Sequence, residues 1–464
     1  MSGLNVVYIC SKCDAQAPKW SGRCFECGSW GTLEAQSSKV STRGGSASGG
    51  KGQSDRVKVK NKAKSNIPTG SVMTFEDLQG TNIERIKVGQ SPAVEIFPSG
   101  IPLGSLTLLA GEPGAGKSTL ALQLALQFSS QYQVIYFSSE ESPLQVKEKV
   151  TRLGAPSGNF LFSAEHNTEI IAATIAHHQP KLVVIDSIQT IMVPEVEAEP
   201  SSLAQLKAAT ATLMEIAKEQ NVAVIIIGHV TKEGVVAGPK TLEHLVDVVF
   251  YLEGERDSRF RILRSSKNRY GQSGKVSVLQ MSDKGLHIVR QAATAFISNY
   301  QPKPGSVITA VVDSGQVFFL EVQSLVTASN YGYPRRAASG FPPKRLEVLL
   351  AVMKKRLDLD FDRFDVYVNL VGGFRSSDPA LDLAVCLSLI SSIKNKVLSP
   401  ETVIFGEVGL TGELRLVKET QLRLEESGKH SFKKIITSPL KNSTNKSIVG
   451  LSDLAAVIEH LGWL

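Results

Sequence analysis

Gly111-Glu112-Pro113-Gly114-Ala115-Gly116-Lys117-Ser118 has the spacing G-x-x-x-x-G-K-[ST]. Its chemistry is the holding of a polyphosphate. Glycines free to take positive φ let backbone N–H groups converge on anionic oxygens. Lys117 would reach the β- and γ-phosphates, and the Ser118 hydroxyl would be a ligand to Mg²⁺. The candidate nucleotide contacts are Gly111, Glu112, Pro113, Gly114, Ala115, Gly116, Lys117, Ser118 and Thr119, where an apolar run opens a helix. Mg²⁺ also needs a carboxylate, and Leu182-Val183-Val184-Ile185-Asp186-Ser187 offers Asp186 at the end of an apolar run. Another such run ends in Ser138-Ser139-Glu140-Glu141. Glu140 is taken as the base that positions water, with Glu141 as its rival. After a further run, Gly228-His229-Val230-Thr231-Lys232 offers His229 and Thr231 as γ-phosphate sensors.

Chemistry at strand ends requires a sheet to align them. Residues 106–110, 134–137, 182–185 and 222–227 have buried-strand character. Between the last two, Leu203, Leu206, Leu213 and Ile216 recur at helical spacing after Pro200-Ser201-Ser202. Alternating strands and helices predict a doubly wound, mostly parallel α/β sheet over 71–290, covered on both faces. A second α/β unit, 291–464, follows the break Gln301-Pro302-Lys303-Pro304-Gly305. Cys386, in its apolar run Leu383–Ile390, is expected to be a buried core residue.

Four of the five cysteines fall in the first 27 residues, as Cys10-x2-Cys13 and Cys24-x2-Cys27. Two such pairs can wrap one tetrahedral Zn²⁺ with four thiolates and leave no position open for water, so the metal is expected to be structural. Residues 1–33 have little else to fold around than Trp20, Phe25 and Trp30. Either DNA or a protein partner would suit the module. The clustering of the cysteines, and a start with no signal-peptide pattern, predict a cytoplasmic protein.

The chain is 42% hydrophobic and 20% charged, which excludes wholesale disorder, and no apolar run is long enough to span a membrane. Its net charge of +7 is local. Between Gln36 and Ser65, Lys39, Arg43, Lys51, Arg56, Lys58, Lys60, Lys62 and Lys64 face Asp55 alone, an excess that accounts for the whole and that lies within the Ser/Gly-rich stretch 34–70, a basic flexible linker. Overall basicity is therefore weak evidence for nucleic-acid binding.

The order of loop, strand-end Glu, strand-end Asp-Ser and sensor strand resembles the RecA-like ATPases. Within them, Asp186-Ser187-Ile188-Gln189-Thr190, Gly228-His229-Val230-Thr231-Lys232 and Lys267-Asn268-Arg269-Tyr270-Gly271 resemble the bacterial DNA-repair family RadA, also called Sms. That family carries Lys-Asn-Arg-Phe-Gly, so Tyr270 keeps the aromatic ring. The resemblance implies an ATP-hydrolysing, DNA-dependent enzyme of recombinational repair, a branch-migration or unwinding motor on single-stranded and branched DNA. It also implies a homo-hexamer and a RecA-type recombinase as partner. Lys267 and Arg269, two apart, would point to one side of an extended segment and stabilise phosphate charge on the neighbouring subunit's ATP. The signature Lys267, Asn268, Arg269, Tyr270 and Gly271, with Lys232 and Lys240 from the loop resembling the DNA-binding loop of RecA-type proteins, forms the candidate DNA contact set.

Residues from about 305 resemble the protease domain of Lon, through Phe405-Gly406-Glu407-Val408-Gly409-Leu410-Thr411-Gly412-Glu413. Where that family has its nucleophile, this sequence reads Asp378-Pro379-Ala380-Leu381-Asp382, and the base position falls near Gln421. Neither side chain can perform the chemistry, so a non-catalytic scaffold is expected. Its Arg335, Arg336, Lys344, Arg345 and Arg375 could face DNA or be simply solvated. Two other classes stay open: an ATP-dependent Lon-like protease, and a RecA-like autokinase or switch.

Overall fold

The computed structural model describes residues 6–11, 16–17, 29, 33–37, 82–154, 156–229, 241–254, 258–329, 333–430, 432–440 and 445–463. The chain divides into two compact units, Met1–Gln79 and Gly80–Leu464. In the first, strand Val6–Cys10 pairs antiparallel with Gln16–Ala17 on one side and Leu33–Ser37 on the other. Cys10, at the end of the central strand, is buried. Cys13, Cys24 and Cys27 lie outside the described residues.

The second unit is built on two sheets. The first takes its strands from β1 (Leu106–Gly111), β2 (Val134–Ser138), β3 (Phe160–Ser163), β4 (Leu182–Asp186), β5 (Ala223–His229), β6 (Val248–Glu253), β7 (Phe260–Asn268), β8 (Val276–Ser282) and β9 (Gly285–Ile288). Their spatial order is β9-β8-β7-β6-β1-β5-β4-β2-β3. Pairs from β6 to β3 are parallel, and those from β6 to β9 antiparallel. The Val/Ile/Leu-rich parallel strands are buried on both faces, as helices on both sides require. Alternate residues serve opposite cores. Leu109, Tyr136, Val184 and Ile225 pack toward α1 (Lys117–Ser129) and α2 (Pro143–Leu153). Leu108, Phe137, Ile185 and Ile226 pack toward α3 (Thr168–His178) and α4 (Leu203–Glu219). Helix α4 starts where a serine can cap it: the Ser202 side chain accepts a bond from the Gln205 amide.

The second sheet contains β10 (Ser306–Asp313), β11 (Gln316–Ala328), β12 (Arg336–Ser339), β13 (Phe364–Leu370), β14 (Thr402–Ile404), β15 (Lys434–Thr437) and β16 (Ile448–Gly450). Its order is β12-β13-β11-β10-β14-β15-β16. Helix Leu381–Lys394 is buried along nearly its whole length, Cys386 included. The sheets share a core: Phe260 and Ile262 of β7 pack with Val307, Phe318 and Leu320 of the second sheet. Phe296, in the short connection Ala292–Ile297, stacks edge-on against Phe260 and Phe374 at centroid distances of 5.2 and 5.4 Å.

Candidate nucleotide site

Register brings the predicted groups to one edge of the first sheet. Gly111 at the end of β1 sits opposite His229 at the end of β5, and Ser138 at the end of β2 sits opposite Asp186 at the end of β4. Beyond β1 the chain turns through Gly114 (φ 83°) and Gly116 (φ 102°), both in the left-handed region that favours glycine. Helix α1 begins at Lys117, with its N-terminus at the loop.

Lys117 is buried, and its Nζ donates to the Glu112 carbonyl at 3.0 Å. Burial lowers its pKa to about 8, against the opposing pull of the Asp186 and Glu140 carboxylates. Asp186 is also buried, which raises its pKa, with hydroxyls of Tyr136 and Ser118 working the other way. The Tyr136 hydroxyl donates to Asp186 Oδ2 at 2.6 Å. Asp186 Oδ1 is buried without a hydrogen-bond partner. A buried carboxylate oxygen left that way is costly unless a donor or a cation completes it, so Ser118 and Asp186 fit Mg²⁺.

The two glutamates after β2 separate cleanly. Glu141 is paired with Lys149. Glu140 accepts a bond from the Ser187 hydroxyl and lies 3.5 Å from His229 Nε2. His229 foremost, then Ser187, keeps the Glu140 carboxyl below its ordinary range. His229 Nδ1 is a second buried atom with no partner at this edge. Val230, Thr231, Lys232 and Lys240 fall outside the described residues.

The signature residues lie at the other end of the sheet. β7 runs antiparallel to β6, with Asn268 opposite Val248, which itself faces Thr107 at the start of β1; Gly111, by contrast, faces Leu252. Four residue steps along the strands, about 13 Å, therefore separate Asn268 of the signature from the register of Gly111 in this chain's own loop. Lys267 and Arg269 both turn onto residues 243–247. Lys267 Nζ donates to the Glu243 and Val246 carbonyls, each at 2.7 Å. Arg269, 60% exposed, has Nη1 3.6 Å from Asp247 Oδ1. The turn is made locally: Asn268 Oδ1 accepts the Tyr270 amide at 2.9 Å, Gly271 lies against the Asn268 side chain, and Arg85 covers the Tyr270 ring.

Between the sheets a cavity of about 1030 Å³ is lined by Gly111 and Glu112 on one side and by Arg375, Asp378 and Arg423 on the other. Arg375 Nη1 lies 3.4 Å from Glu112 Oε1, inside the nucleotide loop. Ala380 is fully buried, while Gln421 is exposed and donates to Glu425 at 2.9 Å. Arg423 is buried against Asp378, Nη2 to Oδ2 at 2.7 Å. Arg345, a candidate DNA-facing cation by sequence, is turned inward: its Nε donates to buried Asp382 at 3.0 Å and its Nη2 to the Val408 carbonyl at 2.8 Å. Sequence reading also missed Tyr136, which looks like one more apolar residue of a buried strand.

Known proteins match this chain both in part and along nearly its whole length. The family profile described as rubredoxin metal binding domain matches residues 8–35, spanning all four N-terminal cysteines. An AAA domain profile matches 74–235, and one for subunit ChlI of Mg-chelatase matches 344–442. DNA repair protein RadA of Pseudomonas aeruginosa is 37% identical over 456 residues, 98% of this chain and 97% of its own. The chain belongs to the RadA family. The Halalkalibacterium halodurans member is 36% identical over 467 residues, covering 99% of both chains. The Bacillus subtilis RadA is 37% identical over 431 residues, 92% of this chain and 91% of its own. Among solved structures, a KaiC-like protein of Pyrococcus horikoshii aligns over 45% of this chain and 100% of its own, at TM-score 0.36 and 17% identity. The RadB recombinase aligns over 44% and 100%, at 0.35 and 21%. RadA membership agrees with the three-part architecture, a zinc ribbon, a RecA-like P-loop ATPase core and a C-terminal ChlI- or Lon-like domain. Among the described residues no helix is long and apolar enough to cross a membrane.

Proposed function

We propose that this chain is a ring-forming, DNA-dependent ATPase that drives branch migration or unwinding on single-stranded DNA during recombinational repair. It acts in the cytoplasm, as a homo-hexamer, beside a RecA-type recombinase. The functional division is 1–33, 34–70, 71–290 and 291–464, with Zn²⁺ on Cys10, Cys13, Cys24 and Cys27. Lys232, Lys240 and the signature 267–271 contact DNA. The nucleotide is cradled by residues 111–119. Mg²⁺ held by Ser118 and Asp186 would neutralise charge between the β- and γ-phosphates. Lys117 lies beneath those phosphates. Glu140, kept ionised by His229 and Ser187, takes the proton of the attacking water. With Ala380 buried and Gln421 bonded to Glu425, the C-terminal domain has neither nucleophile nor base and is a scaffold, not a protease.

The observation that supports an assembled ring is the distance of Lys267 and Arg269 from their own loop. Cations about 13 Å away along the strands, at the far sheet edge, serve a neighbour's nucleotide or none. The test is subunit mixing. Wild-type protein combined with a Lys267→Ala, Arg269→Ala variant should lose DNA-stimulated turnover more steeply than the variant's mole fraction. Strictly proportional loss would remove the trans role. An ATPase rate unmoved by single-stranded DNA would remove the DNA-dependent motor.

A further inference from the structure

The buried hydroxyl of Tyr136 has no part in the chemistry described above, yet it touches the centre of it. Tyr136 occupies the middle of β2, with Val184 of β4 opposite and Asp186 two residues further along. Its ring is almost wholly buried, toward the face covered by α1 and α2, with Phe160 at a centroid distance of 6.3 Å. A buried phenol needs a partner for its O–H, and here the partner is Asp186 Oδ2 at 2.6 Å. A carboxylate on a single χ2 axis can otherwise rotate. With Oδ2 held from the side of β2, rotation is arrested and Oδ1, buried and unmatched, is the oxygen left for a cation. Phenylalanine would fill the same space without this restraint.

We propose that Tyr136 is a positioning residue: its hydroxyl fixes the Asp186 carboxylate so that Oδ1 faces the Mg²⁺ position beside Ser118, and so sets the metal affinity of the nucleotide site. This rests on the nucleotide-site reading given above. Tyr136 touches neither nucleotide nor metal, so it acts only through Asp186.

The experiment compares wild type, Tyr136→Phe and Asp186→Asn in the full-length protein. Binding of a fluorescent ADP analogue is measured in EDTA and across a Mg²⁺ titration, with Mn²⁺ paramagnetic resonance reading metal occupancy directly. For Tyr136→Phe, affinity in EDTA should equal wild type while the Mg²⁺ midpoint rises about tenfold, the scale of losing one hydrogen bond to a charged group. At saturating Mg²⁺ turnover should recover to within about threefold of wild type, since the metal itself then orients the carboxylate. A 3-fluorotyrosine at position 136 keeps the hydroxyl and should keep the wild-type midpoint, which also covers a Phe variant that folds poorly. An unchanged midpoint in Tyr136→Phe beside a raised one in Asp186→Asn overturns the Tyr136 proposal alone. Equal loss in EDTA and Mg²⁺, not rescued by 3-fluorotyrosine, makes the residue merely structural and overturns it too. An Asp186→Asn variant with a wild-type midpoint would overturn the underlying metal-site reading.

Discussion

Asp186 and Asp382 are both buried carboxylates, at 2% and 1% exposure, and burial raises the pKa of each. Their surroundings differ. Asp382 gives Oδ1 to Arg345 Nε and Oδ2 to Arg345 Nη2 and the Val408 amide, so both oxygens are answered and its charge is cancelled by a guanidinium. Asp186 has one oxygen answered by a neutral phenol and the other buried without a hydrogen-bond partner, with only the Ser118 hydroxyl nearby. The first arrangement is complete as it stands and holds Leu381–Lys394 to its neighbours. The second is incomplete until a cation arrives. Burial alone does not distinguish a site from a strut; the partners do.

The sharpest test is loss of chemistry at the incomplete end. Lys117→Ala should reduce ATP hydrolysis at least about 100-fold, read by phosphate release with and without single-stranded DNA. Next, the two aspartates can be exchanged for asparagine in parallel. Asp382→Asn leaves Arg345 facing a neutral amide and should lower stability by up to about 3 kcal/mol, toward the low end for a buried pair because Arg345 is 31% exposed. Its nucleotide affinity at 25 °C should not change. Asp186→Asn should do the reverse, abolishing Mg²⁺-dependent turnover while leaving the thermal midpoint level or higher. Equal falls in midpoint for both would dissolve the contrast.

A smaller effect separates the cations. Lys117 titrates near pH 8 in the empty protein, and bound phosphate favours its charged form. Nucleotide binding then takes up a proton above pH 8, so affinity should weaken about tenfold between pH 7 and pH 9, measured by fluorescence titration. A flat profile would mean that Lys117 stays charged throughout. The smallest expected effect is none: Ala380→Ser with Gln421→Lys should not degrade casein, because position 380 is buried and position 421 points to solvent. Proteolysis by that double variant would reopen the protease class.

Four strands of the first sheet, β1, β2, β4 and β5, were legible because apolar runs mark them, and β2, β4 and β5 also end in polar residues; β3 and β6 to β9 were not read from the sequence. Ser202 marked the start of α4 for the same local reason. What could not be read was anything set by register. That Tyr136 reaches Asp186, 50 residues away, depends on β2 lying beside β4, which no spacing in the chain encodes. The exposed appearance of Arg345 failed likewise. A basic residue near a helix start reads as solvated until the fold supplies Asp382, 37 positions on. The separation of Lys267 from Lys117 belongs to this class as well, since it follows from the antiparallel turn of β7 against β6.

The contact between Arg375 and Glu112 joins the C-terminal domain to the nucleotide loop at a point where Arg375 is 60% exposed. An ion pair so open to water is worth at most about 1 kcal/mol. Lys117 leans on the carbonyl of the same Glu112, so the loop's cation and the domain's cation read a single residue. Whatever free energy a bound nucleotide adds to or subtracts from that pair, the domain's position returns to the nucleotide in equal measure. The shared core around Phe260 and Phe318 holds the two sheets together, so this weak pair reports on the loop without clamping it, and raising the salt concentration is enough to weaken it.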